Sequence, residues 1–194
     1  MAKRLYPDVA IFFLKDRIYA INDKLYPVSA LAVVKFFHLN GTLLSKVEKE
    51  VPLDANSVKE VHVVDNADYK DANKADCMIF TEIVPGKNQE MRSTHFNSKF
   101  KDLTLYPVEI EVEYHPDFNT IILETKTTVV KNLFISRKSK YLRTSDNYFD
   151  LVPGHPVKVT IQGSDNLEDI KNDLVFRSYR DVYLSDSAVK IDIK

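Results

Sequence analysis

Short runs of β-branched and aromatic residues alternate with polar turn clusters along the whole chain, which is the pattern of an all-β protein. In the first hundred residues the runs predict strands at 9–14, 17–21, 30–39, 42–51, 58–64 and 77–84, with a further edge strand at 90–96. Seven strands in this length is the number expected of an immunoglobulin-like sandwich.

Two links in this half have the residues of tight turns. Lys15-Asp16 joins the first two runs, and Asn40-Gly41 separates the two long ones. Asn-Gly is the preferred pair of a type I′ turn, in which both central residues need a positive φ. The sequence therefore predicts a two-residue hairpin at Asn40-Gly41.

The second half repeats the strand rhythm. Residues 108–114 alternate apolar side chains with Glu109, Glu111 and Glu113, so one face is apolar and the other acidic. Further strands are predicted at 120–125, 129–136, 148–152, 157–162 and 174–183, one short helix at 165–171, and a long loop at 65–76. Because the polar stretch 93–101 interrupts the rhythm, we predict two tandem immunoglobulin-like sandwiches, 1–101 and 102–194, divided near Lys101.

Composition narrows the classes of partner. The 194 residues are 44% hydrophobic, which is enough for a sizeable core, and carry 27 basic against 28 acidic side chains. We expect no nucleic acid and no membrane as partners, because binding phosphates requires a basic excess and no apolar run is long enough to span a bilayer. With Cys77 as its single cysteine, the sequence has no disulfide framework and no thiolate metal cage.

Catalytic and cofactor motifs are missing from the sequence. Four dispersed glycines make neither a phosphate-binding loop nor a dinucleotide fingerprint. The five histidines lie outside metal-ligand spacing, and we interpret His38 and His62, on predicted strands, as packed or surface residues. The five are His38, His62, His95, His115 and His155. Cys77 is interpreted as a buried inert thiol, and we predict no catalytic residue, no metal and no cofactor.

Two clusters of acidic residues leave a binding role open as an alternative to a structural one. Glu109, Glu111 and Glu113 could bind a cation or a sugar hydroxyl, although a solvated face is the preferred interpretation. Asp65, Asp68, Asp71 and Asp76 are rich in oxygen ligands but lack the spacing and the glycine of an EF-hand. Ten tyrosines and eleven phenylalanines could supply a sugar-binding platform, yet their alternating positions favour core packing.

The most distinctive segment is Ser145-Asp146-Asn147-Tyr148-Phe149-Asp150-Leu151-Val152-Pro153-Gly154. We predict a structural role, in which Asp146 and Asn147 cap a turn, Phe149 anchors the core and Pro153-Gly154 forms a type II turn. Residues 157–161 would return as the paired strand. The functional alternative is that Asp146 or Tyr148 touches a sugar.

This segment closely resembles one in the last domain of β-mannosidases of glycoside hydrolase family 2. Residues 100–105, which lead into Pro107, are similar to the connection between the last two sandwiches of those enzymes. Residues 31–51 with Asn40-Gly41, then Pro52 and 55–57, are similar to the preceding sandwich. The resemblance covers nearly the whole chain.

The resemblance implies a C-terminal piece of a retaining β-mannosidase, in which the catalytic glutamates lie on a (β/α)₈ barrel outside this chain. The implied partners are the catalytic barrel of the parent chain, carbohydrate, and a second copy bound through the exposed barrel-facing patch. It also implies a parent that is secreted, periplasmic or lysosomal. The alternatives are a stand-alone carbohydrate-binding module, the tail of a related exo-β-glucosaminidase, and a self-contained enzyme.

Overall fold

The computed structural model describes residues 7–86, 90–139, 141–163, 166–183 and 189–193. The chain divides into two compact units, Met1–His38 with Leu43–Leu103 and Leu39–Thr42 with Thr104–Lys194. The chain is all-β and consists of two tandem immunoglobulin-like sandwiches, which confirms the predicted fold class. None of the described helices is long and apolar enough to cross a membrane.

In its described residues, the first sandwich has seven strands. They are β1 (Val9–Leu14), β2 (Arg17–Asn22), β3 (Val28–His38), β4 (Leu43–Leu53), β5 (Ser57–Val63), β6 (Cys77–Pro85) and β7 (Met91–Phe96). A three-stranded antiparallel sheet, β1-β2-β5, packs on a four-stranded antiparallel sheet, β4-β3-β6-β7. The core lies between them, because alternation along each strand directs one set of side chains inward. It includes Ile11 and Ile18 from the first sheet and Val34, Phe36 and Ile79 from the second, all buried.

One of the two predicted tight links is confirmed and the other is wrong. At Lys15-Asp16, Leu14 pairs with Arg17 and both intervening residues have a positive φ, 49° and 57°, as a type I′ turn requires. The predicted two-residue turn at Asn40-Gly41 is wrong, because Phe37 pairs with Leu43 and residues 38–42 lie between them. There the side chain of Asn40 accepts the N–H of Thr42 at 3.0 Å, a local turn that does not need the two-residue register.

The part of the second sandwich that the structure describes has seven strands and two short helices. They are β8 (Glu109–His115), β9 (Thr120–Glu124), β10 (Val130–Arg137), β11 (Phe149–Leu151), β12 (Val157–Thr160), α1 (Leu167–Ile170), β13 (Leu174–Arg177), α2 (Arg180–Tyr183) and β14 (Lys190–Ile193). The sheet β11-β10-β13 packs on the sheet β12-β9-β8-β14 around a second core. That core includes Ile110, Leu123, Leu133, Leu151 and Phe176.

Near the C-terminus one expectation is wrong and one strand was not predicted. The predicted strand 174–183 stops at Arg177, since Asp181 accepts the N–H of Ser178 at 2.5 Å and its hydroxyl at 3.1 Å and so starts α2. Residues 190–193, for which no strand was predicted, form β14 in parallel with β8.

The short helix and the long loop agree more closely with prediction. Helix α1 begins after Asn166, whose side chain accepts the N–H of Glu168 at 3.0 Å, whereas the predicted first residue Asp165 lies outside the described residues. The loop 65–76 contains two single 3₁₀ turns, Ala67–Tyr69 and Lys74–Asp76.

Candidate functional site

The segment 145–154 runs along one side of the second sandwich and leads from one sheet to the other. Ser145 is bonded twice to Thr160, its N–H to the carbonyl at 2.8 Å and its Oγ accepting the N–H at 2.9 Å. Strand β11 follows beside β10, and β12 then lies beside β9 in the opposite sheet. The predicted pairing of 157–161 with 148–152 is therefore wrong, because Pro153-Gly154 joins the two sheets instead of closing a hairpin.

Asn147 is fastened to β10 through its side chain. Its Oδ1 accepts the N–H of Ile135 and its Nδ2 donates to the carbonyl of Ile135, both at 2.8 Å. Oδ1 also accepts the N–H of Tyr148 at 3.1 Å, and Asp146 accepts the N–H of Asn147 at 3.0 Å. Asp146 and Asn147 thus hold backbone groups at this turn, as short acidic and amide side chains do.

Tyr148 is the residue of this segment that points outward. It has a left-handed backbone, with φ 58°, and is 64% exposed. Its ring stacks on Phe134 of β10 with centroids 4.6 Å apart and planes at 20°. Phe149 instead packs against the core and is partly buried, in line with the predicted anchor.

Asp150 closes an irregularity in β10. Its carboxylate lies 3.0 and 3.1 Å from Nζ of Lys131 and accepts the N–H of Asn132 at 2.9 Å. The register of β10 on β11 shifts between Val130 and Leu133, and Asn132 there has φ 50°. The side chains of Lys131 and Asp150 are only 11% and 8% exposed. Asp150 therefore neutralises a buried ammonium and also accepts a backbone N–H that the irregular register leaves without a strand partner.

Pro153 and Gly154 occupy the centre of the predicted type II turn. The N–H of His155 donates to the carbonyl of Val152 at 3.0 Å, and Gly154 has φ 75°. A positive φ at the third position distinguishes type II from type I and explains the glycine.

Each glutamate on the acidic face of β8 has a basic side chain nearby. Glu111 pairs with Lys126, and Glu113 lies 3.1 Å from Nε2 of His115. Glu109 is exposed and lies opposite Lys190 of β14 in the parallel register. These contacts favour a charge-balanced surface over a cation site at Glu109, Glu111 and Glu113.

The aspartates of the 65–76 loop bond mainly within the first sandwich. Asp68 is buried and accepts from Nε2 of His62 and from the N–H of Asp65, both at 2.9 Å. Asp65 in turn accepts the N–H of Ala67 at 2.8 Å, and Asp76 accepts Nδ2 of Asn73 at 3.0 Å. Asp71 takes a left-handed backbone, with φ 64°. Across the described parts of the chain, histidine, cysteine, aspartate and glutamate form no group of three or more that could hold a metal ion.

Cys77 and the remaining histidines lie in packed positions. Cys77 is fully buried, its Sγ is 3.3 Å from the carbonyl of Asn73, and burial raises the pKa of the thiol to about 11. This makes the thiolate scarce at neutral pH and agrees with an inert cysteine. His95 stacks on Phe13 with ring centroids 4.1 Å apart, and burial lowers its pKa. His38 ends β3 and His155 is buried after the type II turn.

Phe134 is the residue of this region that the sequence analysis missed. It lies on β10 between the buried residues Leu133 and Ile135, so alternation places it on the outer face of its sheet. An aromatic residue at an outward position of a strand was the available signal.

Two family models match the chain, one for each sandwich. The mannosidase Ig/CBM-like domain matches residues 15–102, and the Ig-fold domain matches residues 103–182. No curated protein matches the chain.

Solved structures share the fold of both sandwiches at low sequence identity. The β-D-mannosidase from Dictyoglomus thermophilum is 15% identical with a TM-score of 0.69, and the match covers 99% of this chain and 23% of that enzyme. The exo-chitosanase from Amycolatopsis orientalis is 14% identical with a TM-score of 0.63, and the match covers 91% of this chain and 26% of that enzyme. The chain thus spans about a quarter of the length of either enzyme. Its first sandwich belongs to the mannosidase Ig/CBM-like domain family, and its second belongs to the mannosidase-type Ig-fold domain family.

Proposed function

We propose that the chain is the non-catalytic accessory region of a retaining glycoside hydrolase of family 2, of the β-mannosidase type. The observation that carries the proposal is the order of the two domain families, a mannosidase Ig/CBM-like domain followed by an Ig-fold domain. The fold shared with a β-D-mannosidase and an exo-chitosanase supports a glycosidase parent. The match to the exo-chitosanase supports an alternative, in which the parent protein is an exo-β-D-glucosaminidase.

The carboxylates of this chain favour a non-catalytic role. A retaining glycosidase needs two carboxyl groups about 5–5.5 Å apart, one of them able to attack the sugar. Glu111, Glu113 and Asp68 are each paired with a cationic or histidine side chain of the same sandwich. In this proposal the catalytic pair is supplied by a barrel elsewhere in the parent protein.

The outer face of the β1-β2-β5 sheet supports docking onto that barrel. Ala10, Ile21 and Val58 form one row across the three strands, and Val58 is 58% exposed. Phe12 and Tyr19 form the next row, with their rings stacked 5.8 Å apart. Apolar rows on the solvent side of a sheet are typical of a surface that packs on another domain.

Turnover measurements test the proposal directly. The purified 194-residue chain is incubated with 4-nitrophenyl β-mannoside and with the corresponding β-glucosaminide, and release of nitrophenolate is followed. We expect no release above a heat-denatured control. Turnover that disappears on Glu111→Gln or Asp68→Asn, while the melting temperature is kept, would overturn the accessory role.

The docking face has a test of its own. Without the barrel, the apolar face should drive concentration-dependent association of the chain, which sedimentation velocity measures. Val58→Lys should shift the chain toward the monomer. Phe118→Lys, at a side chain of the second sandwich that is 73% exposed, is the matched control and should leave association unchanged. A chain that stays monomeric at high concentration would contradict the docking face.

A further inference from the structure

We propose that Tyr148 and Phe134 form a carbohydrate-binding platform on the outer face of the β11-β10-β13 sheet, which takes the C–H face of a pyranose ring. The choice of sugar rests on the proposed function, whereas the platform itself rests on the geometry of the second sandwich.

Phe134 supports one face of the Tyr148 ring, and the other face of Tyr148 is left open for a ligand. Their centroids are 4.6 Å apart at 20° between planes, and Tyr148 is 64% exposed while Phe134 lies half-buried beneath it. The face of an aromatic ring carries negative potential and attracts the weakly positive C–H groups of a sugar ring. An aromatic ring already stacked on one side and open on the other offers such a face to a ligand.

Tyr148 is held in place at a backbone cost. A left-handed backbone is uncommon for a bulky aromatic residue, and glycine or asparagine would fit it more easily. The conformation is imposed by Asn147, whose side chain bonds the N–H of Tyr148 and both backbone groups of Ile135. Strain that the surrounding structure maintains is characteristic of functional positions. The result is a pre-positioned ring, which lowers the ordering cost of binding.

Polar groups surround the platform. Arg177 is the cross-strand partner of Phe134 on β13, so it shares the outer face, and it is exposed. Among the described residues, the hydroxyl of Tyr148 makes no hydrogen bond. A guanidinium and a phenol beside an aromatic face can bond the hydroxyl groups at the rim of a pyranose.

Tyr141 shows that exposure alone does not make such a surface. It is 84% exposed in the same sandwich, but within the described residues it stacks on no ring. Tyr141 is therefore the matched control, a tyrosine of similar exposure without the backing aromatic.

The test is a titration of the 194-residue chain with β-1,4-mannobiose, followed by ¹H–¹⁵N correlation spectra, with the β-1,4-linked glucosamine disaccharide as a second probe. We expect saturable shifts that centre on residues near Tyr148 and Phe134. Tyr148→Ala should weaken binding about tenfold or more, since the stacking face is lost. Tyr148→Gly removes the ring while easing the left-handed backbone, so it separates loss of the ring from loss of folding. Tyr148→Phe should retain most of the affinity, and Tyr141→Ala should retain all of it.

Each outcome decides the proposal. Saturable binding of either disaccharide that depends on the ring at Tyr148 supports it, and the stronger probe identifies the sugar. Absence of saturable binding at tens of millimolar, or binding unchanged in Tyr148→Gly, overturns the platform and leaves the accessory role standing. Turnover that depends on a carboxylate would instead overturn the accessory role, whatever Tyr148 contributes.

Discussion

The side chain of Asn147 takes the place of a strand residue beside Ile135. Leu133 pairs with Phe149, so the same register continued by two residues sets Asn147 opposite Ile135. The left-handed backbone at Tyr148 interrupts β11 there, and the carboxamide of Asn147 makes the two hydrogen bonds that a backbone would have made, both at 2.8 Å. One asparagine thus completes the ladder and permits the turn that displays Tyr148.

Asn147→Ala should lower the free energy of unfolding by about 2 kcal/mol, because the N–H and the carbonyl of Ile135 both lose their partner. Asn147→Asp keeps the acceptor for the N–H of Ile135 but sets a carboxylate oxygen against its carbonyl, so it should cost at least as much as Asn147→Ala. Urea unfolding followed by circular dichroism measures the difference, with Tyr141→Ala as the control. A change of less than about 0.5 kcal/mol in Asn147→Ala, the range of ordinary surface substitutions, would show that water replaces the carboxamide without loss.

Asp150→Asn should destabilise the second sandwich by about 3 kcal/mol. The amide can still accept from Asn132, but the ammonium of Lys131 would remain buried without its counter-charge. Adding Lys131→Met to Asp150→Asn should recover part of the loss, and a double-mutant cycle gives the coupling. If the two losses simply add, the ion pair contributes nothing and the prediction fails.

Gly154→Val should cost about 1–3 kcal/mol through backbone strain alone, since φ is 75° and a Cβ at this position would meet no atom within 4 Å. Gly154→Asn should cost less, because asparagine tolerates the left-handed region. Thermal unfolding of the two variants separates backbone strain from crowding. Equal losses in both would contradict the type II turn as the cause.

The first sandwich should lose stability on mild acidification because of His95. Burial lowers the pKa of His95 in the folded state below its usual 6.5, so the unfolded chain binds the proton first, while nearby Asp16 opposes the shift. Stability should therefore fall as the pH drops below about 6.5 and level off once the folded state is protonated as well.

Replacing this histidine isolates its contribution. His95→Phe keeps a ring against Phe13 and should show a smaller fall in melting temperature between pH 7.5 and pH 5 than the unsubstituted 194-residue chain. His38→Gln is the control and should follow the unsubstituted chain. Parallel pH profiles for His95→Phe and the unsubstituted chain would exclude His95 as the source of the acid sensitivity.

The sequence predicted most of the strands but not how they pair. Runs of β-branched and aromatic residues identified the seven strands of the first sandwich and alternation identified β8, because both patterns are local, whereas β14 was not predicted. Pairing is not local: the run after Pro153-Gly154 reads as a hairpin return, yet it joins β9 across the sandwich. Asn40-Gly41 has the residues of a type I′ turn, but the register of β3 on β4 leaves residues 38–42 between the paired Phe37 and Leu43, so no two-residue turn forms there.

In the candidate site, too, local features could be predicted from the sequence and contacts between strands could not. Turn chemistry at Asn147 and Gly154 could be predicted from residue type. The contacts of Asp150 with Lys131 and of Tyr148 with Phe134 could not, since both depend on which strand lies beside β11.

The most direct test of the accessory role is to identify the native polypeptide that carries this sequence. An antibody raised against the 194-residue chain precipitates it from source cells, and mass spectrometry measures its mass and its partners. We predict a polypeptide much larger than 22.3 kDa, or a tight complex, that includes a (β/α)₈ barrel with two catalytic carboxylates. A 22.3 kDa polypeptide that precipitates without any barrel would contradict the accessory role.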